Sequence, residues 1–162
     1  MKIKGIIFED FINYRKTSMT IMMPYCSFKC DKECGIQVCQ NSHLANQDCI
    51  DIDSEKIIDK YYINNKLTEA IVFQGLEPFD SFVDLYSFIY KFTEKSNDDI
   101  VIYTGYNEEE IKDKVKELLK ITDNNKIIIK YGRYIPNSNS VYDENLGDLH
   151  SFPTRRSSDL VY

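Results

Sequence analysis

Short apolar runs alternate with segments of helical periodicity along most of the chain. The apolar runs predict buried strands at residues 2–8, 18–23, 70–74, 99–103 and 126–130. Between these runs, apolar residues recur at i, i+3 and i+4 spacing, which predicts helices at residues 54–62, 81–96 and 108–121. Strands that alternate with helices are typical of right-handed βαβ units and a parallel sheet. The pattern therefore predicts one α/β domain.

Three polar segments each follow the end of a predicted strand. Residues 25–42 come after the strand that stops at Pro24, and they hold four cysteines without any sustained period. Residues 75–78 follow the next long strand, and residues 104–106 follow the one after it. In a parallel sheet, ligands collect at the carboxyl ends of the strands. We therefore expect the three segments to share one edge of the sheet.

The spacing of the cysteines indicates which kind of metal site lies at this edge of the sheet. Fourteen residues contain Cys26, Cys30, Cys34 and Cys39. Thiolates this close together can reach one metal centre, and soft sulfur suits both zinc and iron–sulfur clusters. Structural zinc usually takes two Cys-x₂₋₄-Cys pairs separated by a longer segment, whereas these four cysteines are consecutive, with gaps of three, three and four residues. The spacing favours an iron–sulfur site and leaves zinc as the alternative.

Composition and charge argue against two classes of partner. The formal net charge is −6, and acidic and basic residues are interspersed, so no basic stripe predicts nucleic-acid binding. No apolar run approaches the roughly 20 residues of a membrane helix, and the sequence shows no signal peptide. Five cysteines without an export signal are typical of thiols in a reducing compartment. We expect a cytoplasmic protein that binds neither nucleic acid nor membrane.

The end of the chain differs in composition from the rest. Residues 150–160 read His-Ser-Phe-Pro-Thr-Arg-Arg-Ser-Ser-Asp-Leu and contain two of the four arginines. In-frame translation of a common sequencing adapter results in the same string. We therefore expect residues 1–149 to form the domain and residues 150–162 to be a non-native, adapter-derived tail that stands in place of the native C-terminus.

The cysteine segment resembles that of radical S-adenosylmethionine (SAM) proteins of the anaerobic ribonucleotide reductase activating family. Such proteins carry a Cys-x₃-Cys-x₂-Cys loop, and Cys26-x₃-Cys30 matches its first part. Gln-Val-Cys-Gln-Asn around Cys39 is similar to its last part, in which an apolar residue, here Val38, precedes the third cysteine. The resemblance implies that Cys26, Cys30 and Cys39 are the metal ligands.

The second gap of this loop departs from the family pattern. Eight residues, not two, separate Cys30 from Cys39. Residues 31–36 read as an insertion that carries the extra Cys34. The nearer spacing of Cys34 keeps it open as an alternative third ligand, although it lacks the flanking residues of the motif.

Later segments resemble further motifs of the same family. Phe-Gln-Gly-Leu-Glu-Pro at 73–78 is similar to a Gly-Gly-Glu-Pro segment that contacts the methionyl amino group of SAM, with Leu76 in place of the second glycine. Tyr-Thr-Gly-Tyr at 103–106 resembles an identical family segment. Tyr-Gly-Arg-Tyr at 131–134 resembles Asp-Gly-Arg-Phe and leaves the role of Arg133 open. The SAM contacts that the resemblance implies are Val38, Gly75, Leu76, Glu77, Pro78 and Thr104.

The resemblance also implies a fold, an activity and partners. The fold would be an abbreviated partial (βα) barrel of the radical SAM type with a mostly parallel sheet. A [4Fe–4S] cluster and SAM would be the cofactors, and reductive cleavage of SAM would supply a 5′-deoxyadenosyl radical. That radical would take hydrogen from a glycine of an anaerobic ribonucleoside-triphosphate reductase, with a flavodoxin or ferredoxin as electron donor. The alternatives are another radical SAM enzyme and a structural zinc-binding interaction module with Cys34 as its fourth ligand.

Overall fold

A six-stranded sheet forms the centre of the chain. The computed structural model describes residues 1–122, 127–136, 142–143, 148–149 and 160–161. The strands are β1 (Lys2–Ile3), β2 (Gly5–Asp10), β3 (Ser18–Met23), β4 (Ile50–Asp51), β5 (Ala70–Gly75), β6 (Asp99–Tyr103), β7 (Ile127–Lys130), β8 (Tyr142–Asp143), β9 (Asp148–Leu149) and β10 (Leu160–Val161). The helices are α1 (Lys29–Cys34), α2 (Ser42–Ala45), a π-helix (Lys56–Tyr62), a 3₁₀ helix (Pro78–Ser81), α3 (Phe82–Thr93) and α4 (Glu108–Leu119).

The strands of the central sheet are arranged in the order β10-β7-β6-β5-β3-β2. The four inner strands, β7, β6, β5 and β3, are parallel, and β2 and β10 pair antiparallel at the two edges. Two smaller antiparallel pairs join β1 to β4 and β8 to β9. The chain is therefore α/β with a mostly parallel sheet, and the abbreviated partial (βα) barrel stays a prediction.

The carboxyl ends of the inner strands meet at one edge. Met23 of β3 lies opposite Gly75 of β5, and Tyr103 of β6 lies opposite Lys130 of β7. All three polar segments that follow predicted strands therefore start from the same edge of the sheet. The fold therefore brings together three segments that lie up to about 80 residues apart in the sequence.

Side chains of the inner strands alternate between two buried faces. One face packs against the helices and forms the larger core, which includes Ile21, Phe73, Ile102 and Ile129 of the strands and Phe88 of α3. The opposite face holds a smaller cluster of Tyr14, Ala70, Val72, Val101 and Ile128. Burial on both faces explains why the inner strands read as nearly continuous apolar runs.

The longer predicted helices are present, whereas the first has a different hydrogen-bond pattern. A capping box begins α4, since Asn107 and Glu110 each bond the backbone of the other. The predicted helix at 54–62 is present, mainly as a π-helix, and the N–H of Ile63 donates to the carbonyl of Ile58 in the i→i+5 pattern. Apolar spacing predicts a helix but does not distinguish the rare π type from the common α type.

The cysteine segment contains two short helices that the pattern did not predict. α1 and α2 have six and four residues, too few to establish a helical period. Phe28 precedes α1 with a φ of 53°, the only positive φ at a non-glycine residue in the described part of the chain. Such strain costs about 1–3 kcal/mol and persists where the surroundings impose it, here between the first two cysteines.

Part of the tail contributes to the sheet edge. Leu160 and Val161 pair with Ile129 and Ile128 of β7. Most of residues 150–162, and residue 126 of the predicted last strand, lie outside the described residues, so the adapter-derived origin of the tail stays a prediction. No helix within the described residues is long and apolar enough to cross a membrane.

Candidate metal centre

Three of the four clustered cysteines line one cavity at the carboxyl edge of the sheet. Cys26 follows β3, Cys30 lies in α1, and Cys39 precedes α2. The opposite wall comes from the strand-end segments, with Gly75, Leu76, Glu77, Thr104 and Gly105. Cys34 is exposed at the end of α1 and is not among the lining residues. Of the two third ligands that the sequence left open, the structure brings only Cys39 to the other two.

The three thiols are half-buried and accept hydrogen bonds from the backbone. The N–H of Phe28 donates to Cys26 Sγ at 3.2 Å, and the N–H of Tyr134 donates to Cys30 Sγ at 3.3 Å. Burial raises the pKa of Cys26 to about 12 and also raises the pKa of Cys30 and Cys39. A bound metal would favour the thiolate form of these cysteines against the effect of burial.

This donor set fits an iron–sulfur cluster. Clusters are held by cysteine thiolates, and N–H bonds to the sulfurs tune them. Both features are present at Cys26 and Cys30. Among the described residues, no group of three or more His, Cys, Asp and Glu side chains is arranged to hold a single metal ion.

Asp31 closes the long gap between the second and third cysteines. Its Oδ1 accepts hydrogen bonds from the backbone N–H groups of Val38 and Cys39, both at 2.8 Å. α1 ends at Gly35, whose φ of 70° turns the chain back. The residues predicted to be an insertion therefore form most of α1 and a turn, and Asp31 fastens the returning chain so that Cys39 reaches the cavity.

Replacing Asp31 with alanine should free Cys39 from this position. Two N–H groups would lose their acceptor, at a cost of about 1–3 kcal/mol for each one that stays buried. In the cluster-free protein we expect iodoacetamide to alkylate Cys39 several-fold faster in Asp31→Ala, measured by peptide mass spectrometry. Asp31→Asn keeps an oxygen acceptor and should stay near the wild-type rate. Equal rates in the alanine variant and the wild type would show that Asp31 does not hold Cys39.

The segment after Cys39 is tied to the opposite wall. Asn41 Nδ2 donates to the carbonyl of Gly75 at 2.8 Å, and Gln40 Nε2 donates to the hydroxyl of Tyr134 at 2.9 Å. Sequence reasoning noted Gln40 and Asn41 only as part of a motif. Their contacts link the third cysteine to the ends of β5 and β7.

Glu77 joins the two strand-end motifs. Its carboxylate accepts from Thr104 Oγ1 at 2.7 Å, from the N–H of Gly105 at 2.8 Å and from the N–H of Phe79 at 3.1 Å. The residue is only 5% exposed, and this burial outweighs the hydrogen bonds and raises its pKa to about 7. The carboxyl group thus lies at the cavity wall with its orientation imposed by three donors.

The neighbours of Glu77 show why this segment has its sequence. Gly75 has a φ of 89°, and a Cβ there would lie 3.1 Å from the Cα of Met22, so only glycine fits. Leu76, which stands in place of the family's second glycine, does not share the positive φ, so its backbone adopts a conformation open to any residue. Pro78 is buried at the start of the 3₁₀ helix.

Two of the predicted SAM contacts lie away from the cavity lining. Val38 and Pro78 are absent from its wall, and the backbone N–H of Val38 is bonded to Asp31. Gly75, Leu76, Glu77 and Thr104 all line it. The strand-end segments therefore supply most of the predicted binding residues to one place.

Arg133 connects the cysteine helix to the strand ends. Nε donates to Glu33 of α1 and Nη2 to Glu110 of α4, both at 2.8 Å, and Nη1 donates to the carbonyl of Gly105. Burial alone would lower the arginine pKa, but the two carboxylates raise it above its ordinary value. Hydrogen bonding from Arg133 lowers the pKa of Glu110 to about 2. Both partners are therefore charged at neutral pH.

Several lining residues were not found from the sequence. Tyr103 and Lys130 are the last residues of β6 and β7, Gln74 is the last but one of β5, and all three line the cavity. A usable signal was present, because each lies two positions after an apolar residue of the smaller cluster and so faces the same side of the sheet. Tyr103 was noted only as part of a motif.

Comparison with known families agrees with this donor set. The family model described as a 4Fe-4S single cluster domain matches residues 15–145, which include the cysteine segment and every strand that reaches the cavity. The chain belongs to this family. The predicted iron–sulfur character of this 4Fe–4S domain is thereby confirmed, and it is compatible with an oxidoreductase-type enzyme. No curated protein and no solved structure matches the chain.

Proposed function

We propose that this 4Fe–4S domain is a radical SAM activating enzyme whose cluster is ligated by Cys26, Cys30 and Cys39. The observation that carries the proposal is the number of thiols at the cavity. Three line it, while Cys34 is exposed outside it. A cubane cluster with three protein ligands leaves one iron for a substrate. When bound there, the cluster and SAM would supply reductive cleavage of SAM to methionine and a 5′-deoxyadenosyl radical.

The wall opposite the cysteines suits the methionyl end of SAM. The backbone of Gly75 and Leu76 and the carboxyl group of Glu77 are acceptors for an ammonium group. An adjacent cation would favour the ionised carboxylate, against the burial that raises its pKa. Thr104 holds the Glu77 carboxylate and lines the same cavity. Contacts of SAM with Val38 and Pro78 stay predictions.

The proposed substrate is a glycine of an anaerobic ribonucleoside-triphosphate reductase. This step is supported by the motif resemblance, in which the cysteine loop, the Gly-x-Glu-Pro segment and Tyr-Thr-Gly-Tyr occur in family order. The protein's own part is to position the cofactors and to exclude water from the reacting atoms. A reduced flavodoxin or ferredoxin in the cytoplasm is the proposed electron donor.

Electron paramagnetic resonance of the anaerobically reconstituted, dithionite-reduced chain tests this function. We expect a reduced [4Fe–4S] signal that changes when SAM is added, together with release of 5′-deoxyadenosine. A signal that is unchanged by SAM would overturn the radical SAM assignment and would indicate an iron–sulfur protein that does not bind SAM at its cluster. A colourless, zinc-loaded protein would support the structural zinc module instead.

A second assay separates the substrate from the cofactor chemistry. The reconstituted chain is incubated with SAM and an anaerobic ribonucleotide reductase, and the glycyl radical is measured by the same spectroscopy. SAM cleavage without a glycyl radical in the reductase would favour another radical SAM enzyme.

A further inference from the structure

Four charged side chains link α1 to α4 and to the segment after β7. α1 has no buried residue. Lys29 pairs with Glu110 at 2.7 Å, and Arg133 pairs with Glu33 and Glu110 at 2.8 Å. The four charges balance, with two positive and two negative side chains. Arg133 is the most buried of them, with 10% of its side chain exposed, whereas Glu33 is 56% exposed.

This charge cluster adjoins one cysteine in particular. Arg133 Nη1 bonds the carbonyl of Gly105, and a Cβ at Gly105 would lie only 3.3 Å from Cys30 Sγ. The next residue, Tyr134, donates its N–H to that same sulfur at 3.3 Å. The two segments that contain Gly105 and Tyr134 therefore lie against Cys30.

We infer that Arg133 sets the reduction potential of the centre that Cys30 ligates, acting as an electrostatic and positioning residue. The inference rests on the proposed ligation by Cys30 and does not depend on SAM chemistry. Reduction adds one negative charge beside Cys30, and a nearby cation stabilises the reduced form more than the oxidised one. Because Arg133 is mostly buried, water screens it little.

Because the four charges balance, removing a positive one and removing a negative one should shift the reduction potential in opposite directions. Arg133→Gln removes a positive charge and leaves two carboxylates facing Lys29 alone, so it disfavours reduction. Glu33→Gln removes a negative charge and leaves Arg133 less neutralised, so it favours reduction. The exposure of Glu33 predicts the smaller shift for the second substitution. Arg133→Lys keeps the charge but loses the planar fork that reaches two carboxylates.

A redox titration of the reconstituted full-length chain at fixed pH and without SAM tests the inference. In Arg133→Gln we expect the ratio of reduced to oxidised centre at a given ambient potential to fall about tenfold, which corresponds to a shift of about 59 mV for one electron. Glu33→Gln should move the potential in the positive direction by less than this. Arg133→Lys should stay near the wild type. Iron and sulfide content per chain is measured for every variant, so that loss of the centre is not mistaken for a shift.

Opposite shifts of the reduction potential in the two variants would distinguish an electrostatic effect from a general loosening of the structure, which would not depend on the sign of the charge removed. Shifts of the same sign in Arg133→Gln and Glu33→Gln, or no shift in either, would overturn the inference. If Arg133→Gln does not retain the centre, Glu33→Gln decides alone, since a positive shift supports the inference and an unchanged potential overturns it. A wild-type chain that assembles no reducible cluster contradicts the proposed ligand set itself, whereas an assembled cluster with unmoved potentials contradicts only the role of Arg133.

Discussion

Replacing Cys39 with alanine should abolish the reducible [4Fe–4S] centre, whereas replacing Cys34 with alanine should leave it intact. Cys39 lines the cavity with Cys26 and Cys30, and Cys34 is exposed outside it. Loss of one of three thiolates leaves two irons without a protein ligand instead of one. We expect near-complete loss of the reduced cluster signal in Cys39→Ala, measured by electron paramagnetic resonance with iron and sulfide analysis after anaerobic reconstitution.

Cys34→Ala is the matched control for Cys39→Ala, because both substitutions remove one thiol from the same short segment. Both lie in the same segment, and Cys49→Ala adds a control at an exposed cysteine outside it. Retention of the cluster in Cys39→Ala and its loss in Cys34→Ala would assign the third ligand to Cys34. An equal requirement for all four clustered cysteines would instead favour a cluster with four thiolate ligands, which leaves no iron open to SAM.

Gly75→Ala should destabilise the cluster-free protein by about 3 kcal/mol or more. An L-residue at a φ of 89° carries strain of roughly 1–2 kcal/mol, and the new Cβ would meet the backbone of Met22 at 3.1 Å. The backbone of β3 cannot move without disturbing the neighbouring strand. The shift would also displace the Gly75 carbonyl that accepts from Asn41. The free energy of unfolding from urea titrations measures the effect.

Alanine substitutions at two other glycines distinguish the steric contribution from the backbone-strain contribution to the loss of stability. A Cβ at Gly5 would also meet Met22, at 3.0 Å, but at the terminal methyl of a flexible side chain, so Gly5→Ala should change stability by only about 0.5 kcal/mol. Gly35 has a φ of 70° with nothing within 4 Å of a new Cβ, so Gly35→Ala should show the backbone strain alone, roughly 1–2 kcal/mol. A Gly75→Ala cost no larger than that of Gly35→Ala would show that β3 accommodates the contact.

Much of the fold could be predicted because its signals are local. β3 and β6 have the predicted bounds, since apolar runs of five or six residues between polar segments have few other interpretations. α4 was predicted from an amphipathic stripe and an acidic start, and both are visible in the sequence alone. A helix was predicted at 54–62, but its π type was not, because apolar spacing does not distinguish a rare bond pattern. The helix α1 was not predicted, because six residues leave no distinctive period.

The types of residue in the candidate site could be predicted from the sequence, but the contacts that bring those residues together could not. The motif residues Cys26, Glu77 and Thr104 stand out as chemistry placed after strands. Asp31 and Arg133 do not, because a carboxylate that fastens a turn and an arginine that joins three segments resemble ordinary surface charges in a sequence. Their roles follow from partners that lie 7 to 100 residues away.

The α/β sheet, the thiolate segment suited to a soft metal and the motif residues at strand ends could all be inferred from the amino-acid sequence. These properties depend on hydrophobic periodicity and on the chemistry of single side chains, which are local. The choice of Cys39 rather than Cys34 as the third cysteine at the cavity depends on the folded structure. This choice rests on the Asp31 hydrogen bonds and the Asn41 contact with Gly75, and such contacts form only when distant segments are packed together.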